Sequence, residues 1–70
     1  MNFYQILEIK MDTIEFYGTL EHETDKAYLV FDGREKIWIP KSQVKKCQNI
    51  KEDDWEFTIP EWLAREKGII

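Results

Sequence analysis

KAYLVFDGREKIWIPKSQV, residues 26–44, is the stretch whose reading decides the fold. Lys26–Phe31 and Glu35–Ile39 are rich in β-branched and aromatic residues, the types that suit a pleated, half-buried surface. Between them lies Asp32-Gly33, a strong short-range hairpin signal, because glycine reaches the positive φ that tight turns need. Pro40 closes the second arm, since it has no N–H for a ladder.

The hairpin's function depends on the parity of its loop, because a one-residue slip moves every side chain to the other face. An even loop places Tyr28, Val30, Ile37 and Ile39 on one face and Leu29, Phe31 and Trp38 on the other. A three-residue loop, Asp32-Gly33-Arg34, instead places Ala27, Leu29, Phe31, Ile37 and Ile39 together and pairs Tyr28 with Trp38 opposite. The three-residue loop is favoured, because it gathers the smaller aliphatics into one core.

Upstream, Ile14, Phe16 and Leu20 alternate with Thr13, Glu15, Tyr17, Thr19 and Glu21, the period of a half-buried strand. Gly18 falls on the apolar side and suggests a bend or bulge. His22–Asp25 reads as a polar turn. Phe3–Ile9 fits either a strand or a short helix. Downstream, Lys41-Ser42-Gln43 reads as a turn, with room for one turn of 3₁₀-helix, and Val44–Ile50 holds a short strand. Lys51–Asp54 is a charged loop. Trp55, Phe57 and Ile59 form a last alternating strand. Thr58-Ile59-Pro60-Glu61 has capping-box spacing, with proline in the first helical turn. A helix over residues 60–67 ends at Gly68, a residue suited to a left-handed cap, with Leu63 and Ile69 placed to touch across it. Trp62 and Leu63 are expected to pack this helix over the sheet.

The fold class expected is mainly β: a small SH3-like or OB-like barrel of about five short antiparallel strands with one short C-terminal helix. A flat sheet packed on the helix is the alternative. Seventy residues make one domain, 1–70, with a thin core that large rings must fill. The single Cys47 excludes an intrachain disulfide and fits a reducing compartment. No apolar run nears the ~20 residues of a membrane span, and the N-terminus lacks signal-peptide features; the location expected is cytoplasmic.

The chain carries a formal net charge of -4, unevenly spread. Residues 1–40 hold four Lys/Arg and eight Asp/Glu, residues 41–51 four Lys and no acid, and residues 52–70 two Lys/Arg and six Asp/Glu. An acidic whole opposes general nucleic-acid affinity, which rests on phosphate neutralisation. The basic segment leaves room for a local phosphate contact. Tyr28, Trp38, Lys41, Gln43, Lys45 and Lys46, with Lys36, are the candidate binding residues, rings stacking on bases and lysines holding phosphates. Glu21, Glu23, Asp25, Glu52, Asp53 and Asp54 form the alternative, an acidic patch for a basic partner. His22 is the only histidine, and with Cys47 it is too few ligands for a metal. Neither has a partner for nucleophilic or acid–base work, so no enzyme, metal or cofactor is expected.

Lys26-Ala27, Trp38–Gln43, Ile59–Ala64 and Lys67-Gly68 resemble a group of small bacterial and bacteriophage proteins. The pattern runs Lys-Ala strand, turn, Trp-Ile-Pro-Lys-Ser-Gln, charged stretch, Ile-Pro-Glu-Trp-Leu-Ala and Lys-Gly. The resemblance covers a little under half of the chain and leaves out roughly the first fourteen residues. It implies an accessory protein of phage or mobile-element origin, near replication or recombination proteins, and no catalytic residues. Two functions are therefore expected to compete. One is a non-enzymatic module binding a protein or single-stranded DNA. The other is an acidic inhibitor seated in a host enzyme's basic groove. A homodimer through an open strand edge is also compatible with the chain.

Overall fold

The computed structural model describes residues 6–10 and 12–70, with backbone pairing alone for residues 6–10. Six strands and one helix follow in order: β1 (Ile6–Lys10), β2 (Thr13–Glu23), β3 (Ala27–Phe31), β4 (Lys36–Pro40), β5 (Lys46–Lys51), β6 (Asp54–Pro60) and α1 (Glu61–Glu66). All pairings are antiparallel. The mainly β reading with a short C-terminal helix is borne out. Of the N-terminal segment read as strand or helix, residues 6–10 are strand β1, and Phe3–Gln5 lie outside the described residues.

The eleven-residue β2 is the spine. Along Thr13–Thr19 it pairs with β6. Its other edge is shared end to end: β1 takes the first part, down to Phe16, and β3 takes the part from Thr19 to Glu23. A register shift between Leu20 and His22 marks a bulge on β2, and a second between Asn49 and Lys51 marks one on β5. Bulges increase local twist and bend the strand, so the sheet curls. It does not close: the path runs β4-β3-β2-β6-β5, and its two ends share no ladder among the described residues. Pro40 offers no N–H, and the 3₁₀ turn Lys41–Gln43 carries the chain from one edge strand to the other. That turn is held by the Lys41 N–H donating to the Lys26 carbonyl at 2.7 Å.

The inward face carries Ile14, Phe16, Val30, Ile37, Ile39, Phe57 and Ile59, covered by Leu63, Ala64 and Ile69 from the C-terminal segment. Phe16 and Phe57 stack with centroids 5.6 Å apart in directly opposed positions. Each such side chain contributes roughly 1.5–3 kcal/mol when fully buried. Gly18 is needed for space rather than for a bulge. A Cβ there would lie 2.2 Å from Val30 Cγ1.

The loop of the β3–β4 hairpin is even. Phe31 faces Lys36 and Leu29 faces Trp38, and the Asp32 N–H donates to the Glu35 carbonyl at 3.1 Å. The three-residue reading is thus corrected. The reason is the Asp32 side chain: buried, it accepts from the Arg34 and Glu35 N–H groups at 2.9 and 2.8 Å. That leaves Gly33-Arg34 to turn the corner, with Gly33 at φ 97°.

The helix begins at Glu61 after Pro60, with no side-chain cap. The expected Thr58–Glu61 capping box is not formed, because Thr58 is still in the β6 ladder. Its C-terminus follows expectation. Gly68 sits at φ 78°, the Ile69 N–H reaches the Ala64 carbonyl at 2.8 Å, and the Gly68 N–H reaches Arg65 at 3.2 Å. This is the Schellman arrangement, with Leu63 and Ile69 buried beside it.

Candidate functional site

The even hairpin separates the six aromatic and basic candidates. Tyr28 is on the inward side, its ring tilted on Phe57 at 5.6 Å and its hydroxyl 3.9 Å from Cys47 Sγ. Lys41 Nζ lies 5.1 Å from that ring's centroid and 2.5 Å from Glu23 Oε2. Burial pushes the Tyr28 phenol above its ordinary value, with Cys47 adding to the shift. The hydrogen bond to Glu23 raises the Lys41 ammonium. Tyr28, Lys41 and Glu23 therefore clasp the end of β2 to β3 and the 3₁₀ turn. Trp38 stands on the opposite, outward face across from Leu29, its ring edge-on to His22 at 6.3 Å. Gln43 and Lys45 flank a different groove, near Trp62. Lys46 is exposed on β5, in register with Thr58. No single face gathers Tyr28, Trp38 and the lysines.

Four of the acidic candidates, Glu21 and Glu52–Asp54, are brought near one another, and Glu23 and Asp25 are placed apart from them. The Leu20 N–H donates to the Asp53 carbonyl at 2.7 Å, which sets Glu21 beside the turn Glu52-Asp53. Asp54 Oδ1 accepts from Thr19 Oγ1 at 3.0 Å. Glu21 lies 3.6 Å from Lys36 Nζ, and Glu23 is the acid of the Lys41 clasp. Asp25 is exposed in the turn that Thr24 Oγ1 organises by accepting from the Ala27 N–H at 3.0 Å.

Beside this acidic end the outward face of the sheet forms a groove of about 340 Å³, lined by Tyr17, Thr19, Phe31, Ile50 and Asp54 together with Gly18 and Gly33. It spans β3, β2, β6 and β5. Tyr17, Phe31 and Ile50 are among the exposed large apolar side chains, and Trp38 on β4 continues the same face. Glu56 is in register with Tyr17, and Asp54 with Thr19. The bases bordering it have acidic counterparts: Lys36 has Glu21, and Lys51 is in register with Asp54. Such a surface can bury an apolar anchor and accept hydrogen bonds from cations at its rim.

Sequence reasoning did not single out Phe31 or Ile50 as site residues. The available signal was the even-loop alternative, which puts Leu29, Phe31 and Trp38 outward. Ile50 had none, because it projects from a bulge. Among the described residues no group of three or more His, Cys, Asp or Glu is close enough to hold a metal ion. No protein-family model, curated protein or solved structure shows a significant match to the chain.

Proposed function

We propose that this chain is a non-enzymatic protein-binding module whose outward sheet face takes a cationic segment of a partner. One observation carries the reading. The apolar groove of Tyr17, Phe31 and Ile50 is lined by the acid Asp54, with Glu56 in register with Tyr17 and the Glu52-Asp53 turn tied to the adjoining part of β2 by the Leu20–Asp53 backbone bond. Interfaces draw their affinity from a few aromatic and aliphatic anchors, while complementary charge sets partner choice and association rate. A lysine- or arginine-flanked apolar segment meets both requirements. Seating on a basic groove of another protein, as an inhibitor would, is the same chemistry seen from the partner. A single-stranded nucleic acid is less well served, because it needs rings and lysines on one face, and Tyr28 and Trp38 are on opposite faces.

The test is a titration of isotopically labelled protein, followed by amide shifts, with three probes: a short peptide alternating Lys and Leu, its Glu/Leu counterpart and an oligothymidylate. The Lys/Leu peptide is expected to shift Tyr17, Thr19, Phe31, Ile50 and Asp54, more weakly as salt rises. The acidic peptide should shift none of them. Oligothymidylate binding at low salt centred on Lys41–Lys46 would overturn the reading, as would undiminished peptide binding by Phe31→Ser or Asp54→Lys.

A further inference from the structure

At the other end of β2 lies a second groove, of about 570 Å³, with different chemistry. It is lined by Asp12, Gln43, Lys45, Pro60, Glu61 and Trp62, with Thr13 and Arg65 completing it. Two segments that stand out in the sequence, Trp38–Gln43 and Ile59–Ala64, converge here through their ends. Trp62 was expected to pack over the sheet, but Leu63 and Ala64 do that, and Trp62 is 55% exposed, the most exposed large apolar side chain among the described residues. Arg65 is held by Glu61 through two contacts, Nε at 2.9 Å and Nη2 at 2.8 Å. The rim thus holds two acids, Asp12 and Glu61, against two bases, Lys45 and Arg65. It is locally neutral on a chain whose net charge is -4.

We infer that this groove is an isologous interface, and that its occupant is a second copy of the same chain with Trp62 as the anchor. Three observations choose that occupant. First, a two-fold interface sets one patch against itself, so it requires a self-complementary surface. A patch with two acids and two bases around a Trp is one, and a purely acidic or basic patch is not. Second, Trp is among the residues enriched as interface anchors, and here an exposed Trp stands beside a space able to receive a ring. Third, the acidic turns are remote. Thr13 is in register with Pro60 at this end and Thr19 with Asp54 at the other. Six residues at ~3.3 Å each place the ends about 20 Å apart. That exceeds the Debye length of about 8 Å at physiological salt, so the acidic ends of two copies do not oppose contact here. Pairing through this end uses none of the residues that line the outward groove, so each copy keeps its own and the assembly is bivalent. The inference stands apart from the proposed partner, since the two grooves share no lining residue.

The experiment is sedimentation equilibrium of the full 70-residue chain over a concentration series at low and high salt. A monomer–dimer equilibrium is expected, with a dissociation constant that changes little with salt because the rim is neutral. Trp62→Ala is expected to weaken it by at least about tenfold, the loss typical of an interface anchor. Urea unfolding of that variant confirms that it is folded. Lys45→Glu, at an exposed side chain whose backbone N–H stays bonded to Thr58, leaves three acids facing three and is expected to weaken the dimer in low salt. A chain that stays monomeric at every concentration overturns the inference. So do dimers that both Trp62→Ala and Lys45→Glu leave intact.

Discussion

Gly18→Ala is the sharpest probe of how the sheet packs. The added Cβ would meet Val30 Cγ1 at 2.2 Å, Phe31 carbonyl oxygen at 3.3 Å and Phe16 Cε2 at 3.6 Å. Carbon atoms in contact prefer about 3.5–4.0 Å, so Val30 must give by more than an ångström. It cannot do so cheaply. Its side chain is fully buried, and a β-branched residue has little χ1 freedom. Overpacking of this kind costs roughly 1–3 kcal/mol. Against it, replacing glycine restricts the unfolded chain and returns about 0.4–1 kcal/mol. The net expectation is a loss of about 1–2 kcal/mol. For a chain whose total stability is on the order of 4–10 kcal/mol, that is readily measured by urea unfolding followed by tryptophan fluorescence. Val30→Ala empties the place the new methyl needs. The double variant should therefore be more stable than the sum of the single changes by about 0.5 kcal/mol or more. A neutral or stabilising Gly18→Ala, or strictly additive single losses, would refute the proposed contact.

Three further outcomes are expected. Asp32→Ala should cost about 1–3 kcal/mol by thermal unfolding, because it strips the Arg34 and Glu35 N–H groups of a buried acceptor; a loss near zero would contradict the loop geometry. Ile39→Ala should cost about 2–5 kcal/mol, whereas Trp38→Ala, at a 45% exposed site on the other face, should cost distinctly less, and equal losses would reverse the hairpin's faces. Both Tyr28 and Lys41 have raised pKa values in the folded chain. The folded state therefore holds their protons more tightly, and the stability they contribute is complete below the ordinary tyrosine value of 10.0 and falls as pH rises through the folded values. Melting temperatures measured from pH 8 upward, as approximate steps through that range, should decline on the alkaline side, and less so in Tyr28→Phe.

How much of this was legible follows from which interactions are local. The β2 and β6 strands are visible because each alternates in type, β3 and β4 because they are rich in β-branched and aromatic residues around Asp32-Gly33, and the Gly68 cap is visible because glycine, Leu63 and Ile69 lie close together in sequence. Loop parity was not visible. Asp-Gly serves both a two-residue turn and a three-residue one, and the choice is made by the buried Asp32 carboxylate, whose burial depends on the folded surroundings. The capping box failed for a related reason: Thr58 has the right spacing, but the β6 ladder claims it before the helix begins. The closing seam of a barrel was not legible either: the sheet stays open, and its end strands β4 and β5, joined by Pro40 and the 3₁₀ turn, share no ladder among the described residues. The candidate site suffered most, because a one-residue change in parity exchanged the faces. It sent Trp38 outward with Phe31 and left Tyr28 inside with Lys41 and Glu23. The lysine-rich segment then divided among three places. Of the acidic residues, Glu21 and the Glu52–Asp54 segment are brought near one another because Leu20 bonds to Asp53, whereas Glu23 is held by Lys41 and Asp25 lies in the β2–β3 turn.

The two grooves lie at opposite ends of one strand, and that arrangement makes a prediction neither makes alone. If Trp62 pairs two chains, each dimer carries two acidic outward faces, and a surface coated densely with Lys/Leu peptide can be engaged twice. The second contact is then intramolecular, and its strength depends on local concentration rather than on any new contact. Dissociation from a dense surface should be slower than from a sparse one by roughly 10²-fold or more where both faces reach peptide. Trp62→Ala should abolish the density dependence while leaving the sparse-surface rate unchanged, since Trp62 lies outside the outward groove. Asp54→Lys should weaken binding on both surfaces, because it removes an acid from the groove itself. A Trp62→Ala chain that keeps its density dependence would separate bivalence from the Trp62 interface. A wild-type chain with equal rates on both surfaces would show that the two outward faces do not act together.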